Sequence, residues 1–576
     1  MSFFIDLSII GGGLTGTAML WQCIRQARMA ADRHPELPSR IRLRIFEKQT
    51  TFGPGFPHNQ DIVLPFHITN MCASDMGIFP ENPEDFHSWT VRNRSLLIAR
   101  FHWLGPFFDL QKNFPAVCDH YPRAVMGEYL TARFLRAVTL ARQMGITVEH
   151  HCCTEVCDMQ QASGSFCLSC HNTATGKHSV IQTAQVLIAT GHWQKQSRDP
   201  CFFPSPWPAQ TLAQRIPMGA KVGILGTSLS AIETLLTLTS ENRFARSESG
   251  DLVYQPPENT RTFCLFSRKG LLPKVRGRTG SYRNRYFCRD SLEKMLADTP
   301  GTSSREAVFS LLNAELQSAY GHPFNWDEIT SPSGTPEAVL AQSITDAVQG
   351  DTPGGDVLWQ TVLSQGLGMV KQLYLNLTPL QRRMFEEQYA SAFFTHAATQ
   401  PIINAEKLLA LIRAGIVRII RLGSAYRLLK DDPQGRYVFV YKDPKGSANK
   451  QACSYLVDAR GQEKSILTDP SLLTQSMVAR GIVLTEEYPP ADTCKEGDSA
   501  CKTGRHDTGS IWINPDTHQV MQRHCDGQIR PADSLYAVGA MTRGQIIDAS
   551  MAKSIVRSVS KAAAHLFETA GFVRHL

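Results

Sequence analysis

The sequence predicts an α/β protein with two Rossmann-like dinucleotide-binding domains and a helical insertion. Three observations lead to this prediction. A strand-like apolar run enters a glycine-rich turn at the start of the chain, a second such pair lies near residue 225, and a long helical pattern follows the second pair. The chain has 576 residues, whereas single hydrophobic cores stop growing at about 250–300 residues. We therefore expect two or three domains.

The first glycine-rich turn follows the apolar run 3–10 and has the pattern G-x-G-x-x-G. Its glycines permit a tight turn, the approach of a pyrophosphate to the backbone, and close packing of the next helix on the sheet. A helical pattern and the strand 41–47 come next, and Glu47 ends that strand, where an acid accepts hydrogen bonds from a ribose. This context predicts a dinucleotide site rather than a turn without a ligand. The turn residues assigned to the site are Gly11, Gly13, Leu14, Thr15 and Gly16.

Further strands and a linker separate the first turn from the second. Strand patterns lie near residues 146–149 and within 166–188, and the last of them ends in a buried run that closes at Gly191. The proline-rich stretch 204–208 is typical of a linker. We expect residues 1–200 to form the first part of a domain that carries the first dinucleotide site.

A second turn with a related pattern follows the strand-like run 221–225. Its pattern is G-x-S-x-x-A, so a serine replaces the middle glycine and the backbone is less free to approach a phosphate. The next strand, 262–266, leads to two basic residues rather than to an acid. Basic residues here favour the 2′-phosphate of NADP(H) over NAD(H), and a solvated basic loop is the alternative. The residues assigned to this second site are Gly226, Ser228, Ser230, Arg268 and Lys269.

The remainder of the chain indicates an internal duplication. Residues 286–400 have a helical pattern without catalytic spacing, and strand patterns return at 437–441 and 455–461. The tripeptide Ala-Arg-Gly at 459–461 matches Ala-Thr-Gly at 189–191. Each dinucleotide unit is therefore expected to close with a hairpin and a buried strand.

The domain organisation follows from this repeat. We expect a second domain at 215–420, whose helical insertion spans about 286–400. A late strand runs into Gly539 and a helix follows it, which predicts a return of the chain to the first site. Residues 421–576 are therefore expected to supply return strands and the second part of the first domain.

A cluster of basic residues follows the second nucleotide-binding strand. Arginine forks bind carboxylates or phosphates through two parallel hydrogen bonds. Three interpretations remain open: a site for a dicarboxylate substrate such as aspartate, extra contacts to the 2′-phosphate of NADPH, and a solvated basic loop. The candidate substrate residues are Arg276, Arg278 and Arg283.

Composition and the absence of targeting signals narrow the class of protein. Apolar residues make up 42% of the chain, and the net charge of +7 is spread without a long basic run. We therefore expect no nucleic-acid partner, and no membrane partner because no apolar run reaches transmembrane length. The opening apolar run lacks the basic flank of a secretory signal. We expect a cytoplasmic protein with reduced cysteines.

Cysteine and histidine spacing predicts no metal site. The run 167–171 matches the haem-attachment pattern C-x-x-C-H. However, it lies in an alternating, strand-like stretch, and covalent attachment of haem normally requires an exported chain. Ordinary strand cysteines are the favoured interpretation.

Together these motifs resemble the two-dinucleotide-binding flavoproteins, in which FAD sits on the first Rossmann unit and NAD(P)H on an inserted second one. More narrowly, the chain is similar to FAD–NAD(P)-binding proteins related to flavin-dependent N-hydroxylating monooxygenases. The narrower resemblance rests on the loop 53–55, the stretch 70–80, Pro122-Arg123 before a helix, and the segment 267–273. Known members of this group hydroxylate the amine of aspartate to nitrosuccinate, and some hydroxylate urate.

The resemblance implies FAD and NADPH as cofactors and a role for each motif. The first turn and Glu47 are implied to bind the ADP half of FAD, and the second turn NADPH. Many flavoproteins have Gly-Asp at the terminal site, where the acid binds the ribityl chain or the pyrophosphate. This chain has Gly539-Ala540, so another group must make that contact. Further residues implied near adenine, the ribityl chain or the flavin are Asn70, Met71, Arg123, Val156, Gly191, Gly539 and Met541.

The implied activity is monooxygenation of a small substrate with FAD, NADPH and oxygen. The amine of an amino acid such as L-aspartate is the favoured acceptor. Hydroxylation of a purine such as urate, or a flavin reductase or dehydrogenase without oxygen insertion, are the alternatives. A reductase more often carries a redox dithiol beside the flavin, and none is evident in the sequence. No side chain is assigned as catalytic, because a flavin carries the difficult chemistry itself.

Overall fold

The computed structural model describes residues 4–32, 34–105, 120–162, 164–239, 243–298, 304–326, 333–377, 390–431, 435–461, 465–488 and 506–571. Its strands, in chain order, are β1 (Ile5–Ile10), β2 (Ile41–Phe46), β3 (Thr147–His151), β4 (Thr154–Ala162), β5 (Ser165–Asn172), β6 (His178–Thr183), β7 (Gln185–Ile188), β8 (Phe202–Phe203), β9 (Lys221–Leu225), β10 (Phe244–Arg246), β11 (Leu252–Tyr254), β12 (Thr262–Ser267), β13 (Val417–Arg421), β14 (Arg427–Asp431), β15 (Arg436–Lys442), β16 (Ala448–Cys453), β17 (Tyr455–Asp458), β18 (Thr485–Tyr488), β19 (His506–Ile511), β20 (Gln519–Arg523) and β21 (Ile529–Ala537).

Helices follow one another between β12 and β13 and, in a shorter run, between β2 and β3, whereas the remaining helices are separated by strands or runs of strands. They are α1 (Leu14–Ala31), α2 (Asp85–Arg92), α3 (Arg94–Arg100), α4 (Arg123–Gln143), α5 (Ala209–Arg215), α6 (Leu229–Leu238), α7 (Arg289–Asp298), α8 (Ser304–Tyr320), α9 (Pro336–Gln349), α10 (Leu358–Asn376), α11 (Ala390–Ala397), α12 (Ile402–Arg413), α13 (Leu472–Ala479) and α14 (Ala552–Thr569).

The first large sheet has the strand order β20-β21-β7-β1-β2-β3. β1 lies parallel to β2 on one side and to β7 on the other. Both β1 and β2 are buried along nearly their whole length, as expected for parallel strands covered on both faces. α1 packs against the helices α4 and α14. Strands from both ends of the chain therefore share one sheet.

The second large sheet has the order β13-β12-β9-β17-β8, with every neighbouring pair parallel. In each sheet the strand order reverses beside the central strand, between β1 and β7 in the first and between β9 and β17 in the second. Open α/β sheets bind ligands outside the carboxyl ends of the strands at this switch point. The predicted α/β fold with two Rossmann-like units is confirmed.

Two antiparallel three-stranded sheets occupy equivalent places in the two units. The sheet β4-β5-β6 lies between β3 and β7 in the chain, and β14-β15-β16 lies between β13 and β17. The duplicated hairpin closure follows the sequence prediction. The sequence did not predict the hairpin of β10 and β11, because three-residue strands are too short to show the two-residue alternation of a β-strand.

The helical insertion between β12 and β13 has a hydrophobic core of its own, which includes Phe287, Leu311 and Val362. The buried carboxylate of Glu315 accepts the backbone N–H groups of residues 285, 286 and 287 at 2.8, 2.6 and 2.8 Å. These bonds fix the arginine-rich loop at the entrance to the insertion. Across the described ranges, no helix is both long and apolar enough to cross a membrane.

A buried ion pair joins the two units. Arg123, the first residue of α4, donates from Nε and Nη2 to Oε1 of Glu233 on α6, at 2.9 and 2.7 Å. Glu233 is 4% exposed. Beside this pair, Nε2 of His67 lies 2.9 Å from the Thr237 hydroxyl of the same helix. The guanidinium of Arg123 also lies 5.9 Å from the ring centroid of Trp207.

Among the cysteines that the structure describes, one departs from the sequence expectation of reduced thiols. Cys72 is disulfide-bonded, whereas Cys23, Cys170 and Cys453 are free and buried. The expectation of uniformly reduced thiols is therefore wrong at Cys72. Pairing depends on two sulfur atoms meeting in the folded chain, and spacing along the sequence does not reveal this.

Replacing Glu233 by alanine is expected to destabilise the protein by about 3 kcal/mol, because it leaves the Arg123 charge buried without its partner. Thermal unfolding followed by circular dichroism measures the effect. The double variant Glu233→Leu with Arg123→Met is the control, since it removes both charges, and we expect it to lose less stability than the single variant. Equal losses in the two variants would show that the pair contributes through packing alone.

Candidate functional site

The first glycine-rich turn is held by close backbone contacts that exclude side chains. Gly11 has φ +117°, and a Cβ there would lie 2.2 Å from the carbonyl oxygen of Ala189, at the end of β7. A Cβ on Gly16 would lie 2.2 Å from the carbonyl oxygen of Gly11. The Gly11 N–H donates to the Phe46 carbonyl at 2.9 Å. The turn is thereby tied to the neighbouring strands β2 and β7.

Gly13 is placed where a phosphate can approach the backbone. It is the N-cap of α1, and within the described part of the chain no side chain caps this helix end. A Cβ on Gly13 would meet only the Gly55 backbone, at 3.1 Å. Open N–H groups at a helix N-terminus favour an anion. Leu14 and Thr15 begin this helix, and Thr15 lies beside Gly539, whose Cβ would be 3.5 Å from the threonine Oγ1.

Glu47 lies directly after β2 and is 7% exposed. Its Oε2 accepts the Gly12 N–H at 2.9 Å, and its Oε1 accepts the Gln49 N–H at 3.0 Å. Burial raises the pKa of this carboxyl, and the two backbone donors oppose that rise. The structure brings Glu47, Val156 and Gly191 together around one cavity at the switch point of the first sheet.

The residues assigned nearer the flavin occupy different environments. Arg123 directs its guanidinium into the ion pair with Glu233. Asn70 is exposed, and the carbonyl of Met71 accepts the Thr69 hydroxyl at 2.9 Å. The buried Met541 sulfur accepts the Thr190 hydroxyl at 2.8 Å.

The second turn repeats the backbone contacts of the first. Gly226 has φ +112°, its Cβ would lie 2.8 Å from the Ala459 carbonyl oxygen, and its N–H donates to the Phe266 carbonyl at 2.7 Å. Ser228 is exposed at the N-cap of α6. The third assigned residue, Ser230, lies in the first turn of that helix. The sequence replacement of glycine by serine therefore leaves the strand–turn–helix geometry intact.

The two basic residues of the second site directly follow β12. Arg268 is exposed and Lys269 is half-buried. The loop is fixed locally, because the Ser267 hydroxyl accepts the Gly270 N–H at 3.0 Å. The Arg268 carbonyl accepts the Gly423 N–H at 3.1 Å. In NAD(H)-binding units, an acid at this strand end binds the 2′-hydroxyl of the adenine ribose.

A cavity lies between the two units, at the switch point of the second sheet. The first unit contributes Trp193, Gln194 and Lys195 to its wall, and the second contributes Ser230, Asp458 and Arg460. Trp193 also lines the cavity around Glu47. Sequence reasoning missed Trp193 and Asp458, although Trp193 follows the predicted buried run that closes at Gly191 and Asp458 lies within the predicted strand pattern 455–461.

The three arginines of the predicted cluster lie in different environments. Arg278 is exposed and pairs with Asp356 at 2.5 Å, and Arg283 is exposed on the loop that Glu315 fixes. Arg276 is different: its Nε is buried, and within the described ranges no hydrogen-bond partner reaches that atom. Burial lowers the pKa of this guanidinium, and the carboxylate of Asp75 from the first unit opposes that change. Arg276 therefore faces the first unit.

Three histidines lie near these loops, and of these His67 is buried while His58 and His192 are half-buried. Burial lowers the pKa of His58 and of His67 to about 3, and the nearby Arg123 adds to both shifts. Burial also lowers the pKa of His192 to about 4. Over the residues that the structure describes, no three His, Cys, Asp or Glu side chains are grouped to hold a metal ion.

Comparisons with known proteins agree with this geometry. Residues 8–193 match the FAD-NAD(P)-binding family. The chain is 23% identical over 492 residues to the uncharacterized protein YdhS of Escherichia coli K12, covering 79% of this chain and 83% of that one.

Two solved structures are similar to this chain over nearly its whole length. One is the FAD-bound cadaverine monooxygenase DfoA from Erwinia amylovora, with a TM-score of 0.51, 12% identity, and coverage of 98% of this chain and 95% of that one. Another is the ornithine hydroxylase PvdA from Pseudomonas aeruginosa in its reduced form, with a TM-score of 0.48, 12% identity, and coverage of 98% and 99%. The family match confirms the prediction of an FAD-NAD(P)-binding region in residues 8–193, and the DfoA structure agrees with the predicted fold.

Replacing Gly13 by alanine is expected to weaken FAD binding by about tenfold or more while leaving the fold intact. The new methyl group fits beside Gly55 with a small shift, but it obstructs the approach of a phosphate to the backbone. Flavin content by absorbance and thermal unfolding measure the two effects. Gly105→Ala, with no atom within 4 Å of the new Cβ, is the control. Full FAD affinity in Gly13→Ala would place the pyrophosphate elsewhere.

Proposed function

We propose that the protein is an FAD-dependent monooxygenase that uses NADPH and oxygen to hydroxylate the amine of a small substrate. The favoured substrate is an amino acid with an anionic side chain, such as L-aspartate, and the favoured location is the cytoplasm. One observation carries the proposal. Trp193 lines both the cavity at the first switch point and the cavity between the units, so ligands of the two units would lie against a shared wall.

The first unit fits FAD. The glycine turn leaves Gly13 open at the N-terminus of α1, and Glu47 stands at the end of β2 with its carboxylate oriented by two backbone donors. We assign the pyrophosphate to the turn and the adenosine half to the cavity near Glu47, Val156 and Gly191. When bound, FAD supplies the transfer of electrons from NADPH to oxygen.

The second unit fits NADPH. Gly226 and Ser228 present a helix N-terminus to the pyrophosphate, and Arg268 and Lys269 stand at the strand end that contacts the adenine ribose. Both side chains are basic, which favours a 2′-phosphate over a free hydroxyl. The protein's own contribution is to hold the two cofactors in fixed relation, because Arg123 and Glu233 connect α4 of the first unit to α6 of the second.

The substrate assignment rests on Arg276. Its backbone is fixed, since its N–H donates to the Gln400 carbonyl at 2.8 Å. Gln360 bridges the two neighbouring residues, accepting the Gly277 N–H at 3.1 Å and donating to the Val275 carbonyl at 2.7 Å. A rigidly mounted guanidinium with a buried, unpaired Nε is suited to bind a carboxylate. We propose that Arg276 binds the substrate carboxylate, with Arg278 and Arg283 outside the contact.

The purified protein, loaded with FAD, is tested by NADPH oxidation over a panel of amino acids, their decarboxylated amines and purines, with products identified by mass spectrometry. We expect an amino acid to stimulate NADPH oxidation and to yield an N-hydroxylated or further oxidised product. Hydroxylated urate would establish the purine alternative. NADPH oxidation without any hydroxylated product would establish a reductase, and a colourless protein in excess FAD would contradict both.

In the same assay, Arg276→Gln is expected to raise KM for the carboxylate-bearing substrate roughly 10- to 100-fold, because a charged hydrogen bond is lost. The flavin content is expected to stay at the wild-type level. Arg413→Gln, which removes an exposed arginine paired with Glu337, is the control and should leave KM unchanged. An unchanged KM in Arg276→Gln would remove Arg276 from the substrate site.

A further inference from the structure

The wall of the cavity between the units contains two hydrogen-bond donors that the described residues do not satisfy. Trp193 Nε1 and Gln194 Nε2 are both buried, and neither has a hydrogen-bond partner within the part of the chain that the structure describes. Both residues line this cavity. An unsatisfied buried donor costs about 1–3 kcal/mol. Two such donors on consecutive residues at one cavity wall are therefore evidence for a ligand that carries acceptors.

The position of the cavity in the second sheet identifies which part of a dinucleotide it meets. The cavity lies on the β17 and β8 side of β9, as Asp458 ends β17 and Phe202 belongs to β8. The basic residues for the adenine ribose follow β12, on the opposite side of β9. In a dinucleotide that crosses the switch point, the two halves lie on opposite sides of the central strand. The nicotinamide half therefore faces this cavity.

The chemistry of the cavity suits a flat ring with a polar substituent. Trp193, Phe202 and Trp207 provide aromatic surface, against which a planar ring stacks. Asp458 forms an ion pair with Arg460, whose Nε and Nη2 lie 2.9 and 2.6 Å from the two carboxylate oxygens. The carboxamide oxygen of nicotinamide is an acceptor on a planar ring, which matches the two donors.

We propose that Trp193 and Gln194 of the first unit complete the site for the nicotinamide group, donating hydrogen bonds to its carboxamide oxygen. This inference rests on the proposed function, because it assumes that NADP(H) binds the second unit. The first unit thereby contributes directly to the affinity for the cofactor of the second. Because Trp193 also lines the cavity of the first unit, the bound nicotinamide lies beside that cavity.

The test compares two probes that differ only in the nicotinamide ring: NADP⁺, and the 2′-phosphate of ADP-ribose, which keeps both riboses and lacks that ring. Binding of each to the FAD-loaded protein is measured by isothermal titration calorimetry. The variants are Trp193→Phe, which keeps an aromatic ring but removes the N–H, and Gln194→Met, which removes the amide. Gln196→Met is the matched control, since Gln196 is exposed two residues further along. Flavin absorbance and thermal unfolding verify that each variant is folded and loaded.

We expect each variant to bind NADP⁺ about 5- to 20-fold more weakly than the wild type and to bind the 2′-phosphate of ADP-ribose equally well. The control is expected to bind both probes as the wild type does. Equal weakening for both probes, or none for either, would overturn the inference while leaving the proposed function in place. Failure of the wild type to bind NADP⁺ would overturn the proposed function, and the inference with it.

Discussion

The arrangement of both dinucleotide units depends on one backbone constraint, in which a glycine after the central strand lies against the end of the next parallel strand. In the first unit Gly11 approaches the Ala189 carbonyl, and in the second Gly226 approaches the Ala459 carbonyl. Any side chain at these positions would collide with backbone that cannot move without breaking the sheet. The constraint keeps each helix N-terminus at the switch point, and the site for a dinucleotide follows from that placement.

A buried ion pair joins the two units. The pair of Arg123 and Glu233 is buried and connects α4 of the first unit with α6 of the second. Burying two charges gains little stability over an apolar contact, but losing one of them is costly. Such a pair therefore specifies a relative orientation of the units. Together with Trp193, which lines both cavities, it keeps the two cavities next to each other.

Much of the fold could be predicted because its signals are local. The runs before Gly11 and Gly226, the residues at their strand ends and the two hairpins are each contained in a short stretch of chain. The contacts that distinguish similar residues are not local. Arg276 and Arg278 are two positions apart, yet one has a buried Nε without a partner and the other pairs with Asp356. The motif predicts that Arg123 lies near the flavin, and it gives no sign that the guanidinium pairs with a residue 110 positions away. The roles of Trp193 and Gln194 likewise depend on a cavity formed by distant segments.

In the proposed function, the two units hold their sites together so that NADPH on the second unit reduces FAD on the first. The most direct measurement is to mix the FAD-loaded protein with NADPH without oxygen and to follow the visible absorbance of the flavin. We expect NADPH to bleach the flavin faster than NADH does, and we expect the absorbance to return when oxygen is admitted. If the protein binds FAD but NADPH leaves its flavin oxidised, the two units do not act together in this way.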